Sequence, residues 1–172
     1  QDADDESSPD RLTKQYKYME QCKDVVLLGT NEYEISYGIK RVGKYIDDQR
    51  IEKYIHLHNP FSHSSVMFRD DIFKIVGGYD ESYKAAQDYE CWLRMSQKGK
   101  VIMLPNILIN RFTNKNSITR KKRYWQCKYG TIARFKYRNN MSVIKIVLAS
   151  IYQWLTSYIP ESVIYLKRKL DI

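Results

Sequence analysis

The sequence is poor in cysteine and has no long apolar run, and each absence excludes a class of protein. The cysteines are an odd number with no close pair, which argues against a disulfide framework and a zinc knuckle: Cys22, Cys91 and Cys127. A reduced, cytosolic setting fits this composition best. The most apolar stretch, residues 143–155, is interrupted by Lys145 and Gln153 and is shorter than the roughly 20 residues that span a bilayer.

The chain also lacks the charged-then-apolar leader of a signal peptide, and its first residue is Gln rather than Met. We therefore expect it to be the later part of a longer protein. Its 172 residues, of which 43% are apolar, are enough for one folded domain with a sizeable core.

Acidic residues are scarce in the last third of the chain. Residues 111–172 contain 14 Lys and Arg against 2 Asp and Glu, whereas residues 1–110 contain 15 against 18. This asymmetry indicates that the C-terminal part meets an anionic surface, either a membrane or a nucleic acid.

Hydrophobic periodicity predicts an α/β fold in which strands and helices alternate at first and only helices follow. The predicted helices cover residues 9–22, 70–75, 88–97, 120–137 and 142–158, with Ser8 and Asp70 as N-caps of the first two. The predicted strands cover residues 25–28, 64–68, 101–104 and 107–112, with Gly29 and Pro105 ending two of them. The polar segment 31–58 is interpreted as a strand followed by a loop or short helix.

Three carboxylates lie within four positions near the start of the chain, those of Asp2, Asp4 and Asp5. Because they repel one another, such a cluster is tolerated most easily when a hard divalent cation such as Mg²⁺ or Mn²⁺ lies among the oxygens. A cation with few protein ligands completes its shell with water and substrate phosphates, so the cluster points to a diphosphate ligand. The alternative is a solvated acidic turn before a helix.

Asp88 lies at the predicted start of a helix, where the helix dipole is expected to keep its carboxylate ionised. Near a metal site such a group can act as a general base toward a sugar hydroxyl, although most residues at this position only cap the helix. Gly77 and Gly78 predict a sharp turn that serves either structure or a ligand. The three histidines are interpreted as structural or solvent-facing, with His63 placed to line a site: His56, His58 and His63.

The C-terminal part leaves three interpretations open. The run Arg120–Arg123 with Tyr124 and Trp125 resembles a nucleic-acid patch, but the acidic first part of the chain argues against that partner. Residues 143–155 suit a helix in the membrane interface, and they equally suit a core helix packed on the rest of the chain.

Four segments, taken in order, resemble the second half of a family 2 glycosyltransferase of GT-A fold. They are QDADDESSPDRLTKQ, NPFSHSSVMFR, IVGGYDESYKAAQDYECWLRMSQKGKVIMLP and ILINRFTNKNSIT. The resemblance covers residues 1 to about 120. It implies that residues 1–119 are the acceptor-side part of an incomplete GT-A fold that lacks its N-terminal nucleotide-binding half. Residues 120–172 would then be a basic, amphipathic helical extension.

The resemblance also implies roles for particular residues. Asp2 and Asp4 match the DxD motif that holds the divalent metal (Mn²⁺ or Mg²⁺) and contacts the nucleotide-sugar, and Asp5 is a neighbour that can share this task. Asp88 matches the catalytic base of a single inverting displacement. The remaining matches form the expected substrate-binding set, in which three residues line the pocket and two lie behind the base: Gly77, Gly78, Asp80, Trp92 and Arg94.

Two positions depart from the family pattern. Gln87 stands where members usually have Glu before the base, and Thr113 stands where many have a His near the metal. Either another residue serves there or metal binding is weaker.

Together these features predict metal-dependent, inverting transfer of a sugar from a nucleotide-sugar donor to a hydroxyl of a glycan or lipid-linked acceptor. We expect this reaction in surface polysaccharide synthesis, at the cytoplasmic face of the cell membrane, with no nucleic acid as partner. The isolated chain is expected to be inactive. A non-catalytic membrane-surface adaptor that keeps the fold is the alternative hypothesis.

Overall fold

The computed structural model describes residues 2–113 and 122–170, and it confirms the predicted α/β class. A mixed, open sheet carries helices on both faces, and further helices follow it. In chain order the elements are β1 (Glu6–Ser7), α1 (Arg11–Gln21), β2 (Val25–Ser36), β3 (Ile39–Val42), α2 (Asp48–Tyr54), a 3₁₀ turn (His63–Ser65), β4 (Met67–Phe68), α3 (Asp70–Ile75), α4 (Gln87–Met95), β5 (Lys100–Thr113), α5 (Arg123–Lys136), α6 (Val143–Ser157) and α7 (Glu161–Lys169).

The sheet is built around a long parallel pair, β2 and β5, with short antiparallel strands on either side. Over the described residues the strand order is β1-β5-β2-β3, and β4 also pairs with β2. β1 joins β5 through the pair Glu6 and Asn110. Since β1 pairs with the C-terminal half of β5, the acidic segment that precedes β1 lies against the C-terminal end of β5.

Alternation along the strands divides the apolar residues between two cores, as the pleat of a strand requires. Val101 and Met103 face the larger core with α2, α4 and Ala133 of α5, whereas Ile102 faces a smaller core beneath α1. Trp92 of α4 is fully buried in the larger core. The helix that carries Asp88 is therefore fixed against the centre of the sheet.

Two strand ends predicted from sequence are wrong. β2 continues through Gly29, which pairs with Met103. A glycine is needed there because the Phe61 ring lies 2.1 Å from the ideal position of a Cβ. That glycine marks a close approach and not a strand end. β5 continues through Pro105, because Leu104 pairs with Thr30 and Ile107 with Asn31, so that a bulge leaves the proline outside the ladder.

The first two helices predicted from sequence, which correspond to α1 and α3, also begin differently from the prediction. α1 starts at Arg11 rather than after Ser8, whose carbonyl accepts a hydrogen bond from the Arg11 N–H at 3.1 Å. Asp70 lies in the first turn of α3 and pairs with Lys74, while Arg69 occupies the N-cap position. The Gly77-Gly78 turn is confirmed, with φ of +87° and +67°.

The first helix of the predicted extension packs on the α/β part. The Tyr137 hydroxyl, just after α5, donates to the fully buried Glu90 carboxylate at 2.7 Å, and the Arg134 Nε donates to the Leu57 carbonyl at 2.7 Å. The start of the predicted basic run, Arg120 and Lys121, lies outside the described residues, as does the segment after Thr113. Within residues 2–113 and 122–170, no helix has the length and apolar character to cross a bilayer.

Candidate active site

His63 connects the acidic segment to the glycine turn. Its Nδ1 lies 3.3 Å from the Asp2 Oδ1, and its Nε2 lies 3.2 Å from the Tyr79 hydroxyl. The Asp2 backbone N–H donates to the Ser64 Oγ at 2.9 Å, which holds the acidic segment on the 3₁₀ turn. Burial, with smaller contributions from Cys91 and Asp88, raises the pKa of Tyr79 to about 12, so its hydroxyl stays protonated at neutral pH.

Asp88 is the second residue of α4, and not the first as predicted, because the N-cap is Ala86 in a left-handed conformation with φ of +57°. The Asn59 side-chain amide donates to its Oδ2 at 3.3 Å. Burial raises the pKa of Asp88 above its ordinary value, against the opposing effects of the Tyr89 N–H, His63 and Asn59. The lowering by the Tyr89 N–H is the effect expected of a helix terminus, and burial, which the sequence did not reveal, has the larger effect on this pKa.

Asp2 and Asp88 are both related to His63, the first by contact and the second electrostatically. His63 contacts Asp2 directly, and its electrostatic effect is one of those that lower the pKa of Asp88. Two carboxylates separated by 86 positions in the sequence therefore lie on one site. His63 was the histidine placed by sequence to line a site, whereas His56 is buried elsewhere and His58 packs on Tyr54.

The three N-terminal carboxylates are not equivalent. Asp2 and Asp4 are exposed, while Asp5 is buried and its Oδ1 accepts a hydrogen bond from the Phe112 N–H at 3.0 Å. Asp5 therefore anchors the acidic segment to the end of β5, which leaves Asp2 and Asp4 as the carboxylates that face solvent.

The donor set limits the kind of metal site that this segment can form. In the described ranges no cluster of three or more His, Cys, Asp or Glu side chains could hold a metal ion. Two exposed carboxylates fit a cation that takes its other ligands from substrate phosphates and water, as Mg²⁺ commonly does. They do not fit a cation enclosed by protein alone.

Arg94 braces the glycine turn from beneath. Its guanidinium donates to the Gly78 carbonyl at 2.6 Å and to the Val76 carbonyl, and it forms a two-point ion pair with Glu90. In the turn itself, the Asp80 Oδ1 accepts the Ser82 N–H at 2.9 Å, and the Ser82 side chain, followed by this N–H, lowers the pKa of Asp80. Gly77 is exposed, so the turn presents backbone to the site while Arg94 fixes it from below.

Trp92 also supports the site from beneath. It is fully buried, and its ring lies 6.2 Å from that of Tyr79 and 5.6 Å from that of Phe68. The sequence assigned Trp92 and Arg94 to substrate binding. The structure gives both of them internal contacts, and Tyr79 is the aromatic residue that reaches the surface above Trp92.

The two departures from the family pattern lie on different elements, α4 and β5. Gln87 opens α4 with an exposed side chain, beside Asp88. Thr113 ends β5, one residue after Phe112, and its carbonyl accepts a hydrogen bond from the Ser36 hydroxyl at 3.2 Å. Thr113 thus lies near the acidic segment through the contact of Asp5 with Phe112.

Sequence reasoning missed Asn59 and Tyr79. Asn59 opens the segment NPFSHSSVMFR, which resembles the family, but nothing local ties its side chain to Asp88. Tyr79 lies between Gly78 and Asp80, and an aromatic residue inside a glycine turn is the signal that could have identified it.

Comparison with known proteins shows that the chain's relatives are glycosyltransferases. It is 32% identical to the amylovoran biosynthesis glycosyltransferase AmsE of Erwinia amylovora, over 72% of this chain and 47% of that protein. It is 33% identical to the O-antigen biosynthesis glycosyltransferase WbnJ of Escherichia coli, over 78% of this chain and 54% of that protein. An uncharacterized glycosyltransferase of Methanocaldococcus jannaschii is 29% identical over 99% of this chain and 62% of its own length.

No family model matches the chain. The chain spans about half the length of the curated relatives it matches. Two of those relatives are named for the biosynthesis of amylovoran and of O-antigen.

Proposed function

We propose that the protein containing this chain is an inverting, metal-dependent glycosyltransferase of family 2 and GT-A fold. Its substrates would be a nucleotide-sugar donor and a hydroxyl of a glycan or lipid-linked acceptor, in surface polysaccharide synthesis. The observation that carries the proposal is the position of His63, which contacts Asp2 and acts electrostatically on Asp88. The glycosyltransferase relatives support sugar transfer as the reaction.

In the proposed reaction, the acceptor oxygen bonds to the anomeric carbon of the donor from the face opposite the diphosphate. The bond from that carbon to the diphosphate oxygen breaks, and its electron pair leaves with the diphosphate. The acceptor's hydroxyl proton passes to Asp88. A raised pKa suits Asp88 to this task, because a more basic carboxylate has a larger driving force for accepting the proton.

Asp2 and Asp4 would hold a divalent cation, Mn²⁺ or Mg²⁺, which when bound supplies positive charge to the departing diphosphate. His63 and Ser64 fix Asp2 by its carboxylate and its backbone N–H. Asp5 fixes the same segment to β5. These contacts orient the acidic segment before any ligand arrives, which reduces the entropy lost on binding.

The test of the proposal is Asp88→Asn in the full-length protein. We expect transfer to fall by about 10²- to 10⁴-fold, the usual contribution of a general base, while the affinity for UDP with Mn²⁺ is kept. The matched control is Asp71→Asn, since Asp71 is also an aspartate in the first turn of a helix, with an exposed side chain. A near-normal transfer rate in Asp88→Asn would refute the base assignment.

We propose further that the protein works at the cytoplasmic face of the membrane, with the outer side of α6 on anionic lipid. Ile144, Leu148 and Leu155 lie on one stripe of that helix and are 60–70% exposed, whereas Ile146 is fully buried on the inner side. A stripe of exposed apolar residues in a part of the chain with a net charge of +12 (residues 111–172) is the pattern of an interfacial helix.

A further inference from the structure

A cavity of about 110 Å³ opens beside the candidate active site and was not identified from the sequence. It lies between β2, the segment after β3, α2 and the loop before the 3₁₀ turn. The residues of its wall that bear on ligand chemistry are Thr30, Glu32, Lys44, Tyr54, Asn59 and Ser62.

Two wall residues join the cavity to the proposed catalytic residues. Asn59 lines the cavity and donates its side-chain amide to the Asp88 Oδ2 at 3.3 Å. Ser62 lines it as well and directly precedes His63, the residue that contacts Asp2. A molecule in the cavity would therefore be a neighbour of Asp88.

The polar groups of the wall are held in fixed positions. The Glu32 carboxylate, whose side chain is 12% exposed, pairs with the Arg111 Nε at 2.6 Å and accepts a hydrogen bond from the Ser62 hydroxyl. The Asn31 Oδ1 accepts the Glu32 N–H at 2.9 Å. The Thr30 hydroxyl is buried without a hydrogen-bond partner among the described residues. Such a wall combines oriented polar groups with one buried hydroxyl that is available to a ligand.

The remaining wall is apolar or cationic. Tyr54, Ile46 and Met103 contribute carbon surface, and the exposed Lys44 ammonium lies 4.9 Å from the centre of the Tyr54 ring. Hydrogen-bonding groups beside an aromatic face suit a sugar ring, which has hydroxyls at its edge and C–H groups on its faces. The volume is well below the roughly 300–1,000 Å³ of sites for drug-sized ligands, so it suits one ring and not a chain.

We propose that this cavity is the acceptor subsite and binds a single pyranose residue of the acceptor, with Lys44 donating to one of its oxygens. This inference rests on the proposed function, because it takes Asp88 as the group that faces the acceptor hydroxyl. It goes further by naming the residues that select the acceptor.

The chain offers a matched pair of lysines for the test. Lys44 and Lys40 are both exposed, lie four residues apart, and place their ammonium groups over tyrosine rings, Lys40 over Tyr33 at 3.9 Å. Only Lys44 of the two lines the cavity. Lys44→Met and Lys40→Met keep most of the side-chain length and remove the charge, so both variants are expected to fold.

The experiment measures binding of methyl glycosides to the full-length protein by saturation-transfer difference NMR. The probes are the methyl glycosides of glucose, galactose, N-acetylglucosamine and glucuronic acid. We expect at least one to bind, with an affinity that falls about tenfold in Lys44→Met, the effect of losing one charged hydrogen bond, and stays unchanged in Lys40→Met. No binding by any probe, or equal effects of the two substitutions, would overturn the subsite.

Consumption of nucleotide-sugar by the same samples separates this inference from the proposed function. If the protein transfers sugar but the Lys44→Met variant binds glycosides equally well, the proposed function is supported and the acceptor subsite is refuted. If the protein consumes no nucleotide-sugar but its glycoside binding depends on Lys44, the result supports a glycan-binding site and refutes the proposed enzymatic function.

Discussion

The His63 Nδ1 lies 3.3 Å from the Asp2 Oδ1, although 61 positions separate the two residues. The other ring nitrogen of His63 lies 3.2 Å from the Tyr79 hydroxyl, on the turn that Arg94 braces. One imidazole therefore contacts both the acidic segment and the glycine turn, and it fixes the position of Asp2.

Replacing His63 with Ala should reduce sugar transfer by about 10- to 100-fold, the usual cost of losing a partner that orients a metal ligand. The Mn²⁺ concentration that gives half-maximal activity should rise, because Asp2 would lose its side-chain partner. Steady-state kinetics across a Mn²⁺ titration would measure both effects. Unchanged Mn²⁺ dependence in a folded His63→Ala protein would contradict the positioning role.

Replacing Asn59 with Ala should move the acid limb of the pH profile to higher pH. The Asn59 hydrogen bond lowers the pKa of Asp88, so its loss raises that pKa, and the base is then protonated at a higher pH. The profile of kcat/KM reports this group in the free enzyme. Asn110→Ala is the matched control, because Asn110 donates to the Glu6 carboxylate at 3.1 Å in the same way. If the acid limb shifts by the same amount in both variants, the Asn59 hydrogen bond does not set the pKa of Asp88.

Replacing Arg94 with Met should destabilise the fold by about 3–5 kcal/mol, because the fully buried Glu90 would lose its ion-pair partner. Tyr137→Phe removes only one hydrogen bond from the same carboxylate and should cost about 1 kcal/mol. Urea unfolding of the two variants would give both values. If Arg94→Met lowers the free energy of unfolding by less than Tyr137→Phe does, Arg94 does not neutralise Glu90.

Replacing Ile144, Leu148 and Leu155 together with Ser should abolish binding to vesicles that contain anionic phosphatidylglycerol. The three side chains are exposed, so their loss should leave the fold intact while removing the apolar surface that enters the lipid. Co-sedimentation is the measurement. The control is Val42→Ser with Ile75→Ser, two exposed apolar residues of the α/β part. If the triple variant of α6 and the control double variant sediment equally with the vesicles, α6 does not bind the lipid surface.

Much of the fold could be predicted because its signals are local. Helical periodicity located α1, α4 and α6 within two residues, and the pair Gly77 and Gly78 identified its turn from two neighbouring residues. The α/β class followed from the alternation of predicted strands and helices in the first part of the chain.

The missed features depend on contacts between distant segments. Gly29 is required by the ring of Phe61, and Pro105 is accommodated by a bulge whose register only β2 reveals. Asn59 reaches Asp88 across 29 positions, and this contact depends on how the two segments pack. Burial of Asp88, which sets the direction of its pKa shift, likewise comes from surroundings that no short motif encodes.

The pairing of β1 with β5 also bears on how the protein is made. Glu6 and Asn110 are 104 positions apart, so a growing polypeptide leaves the ribosome with its acidic segment long before the strand that anchors it exists. Closing so long a loop is slow, and chains synthesised vectorially generally fold unit by unit from the N-terminus. Release of a chain that stops short of β5 would yield polypeptide whose aspartates never acquire their native setting.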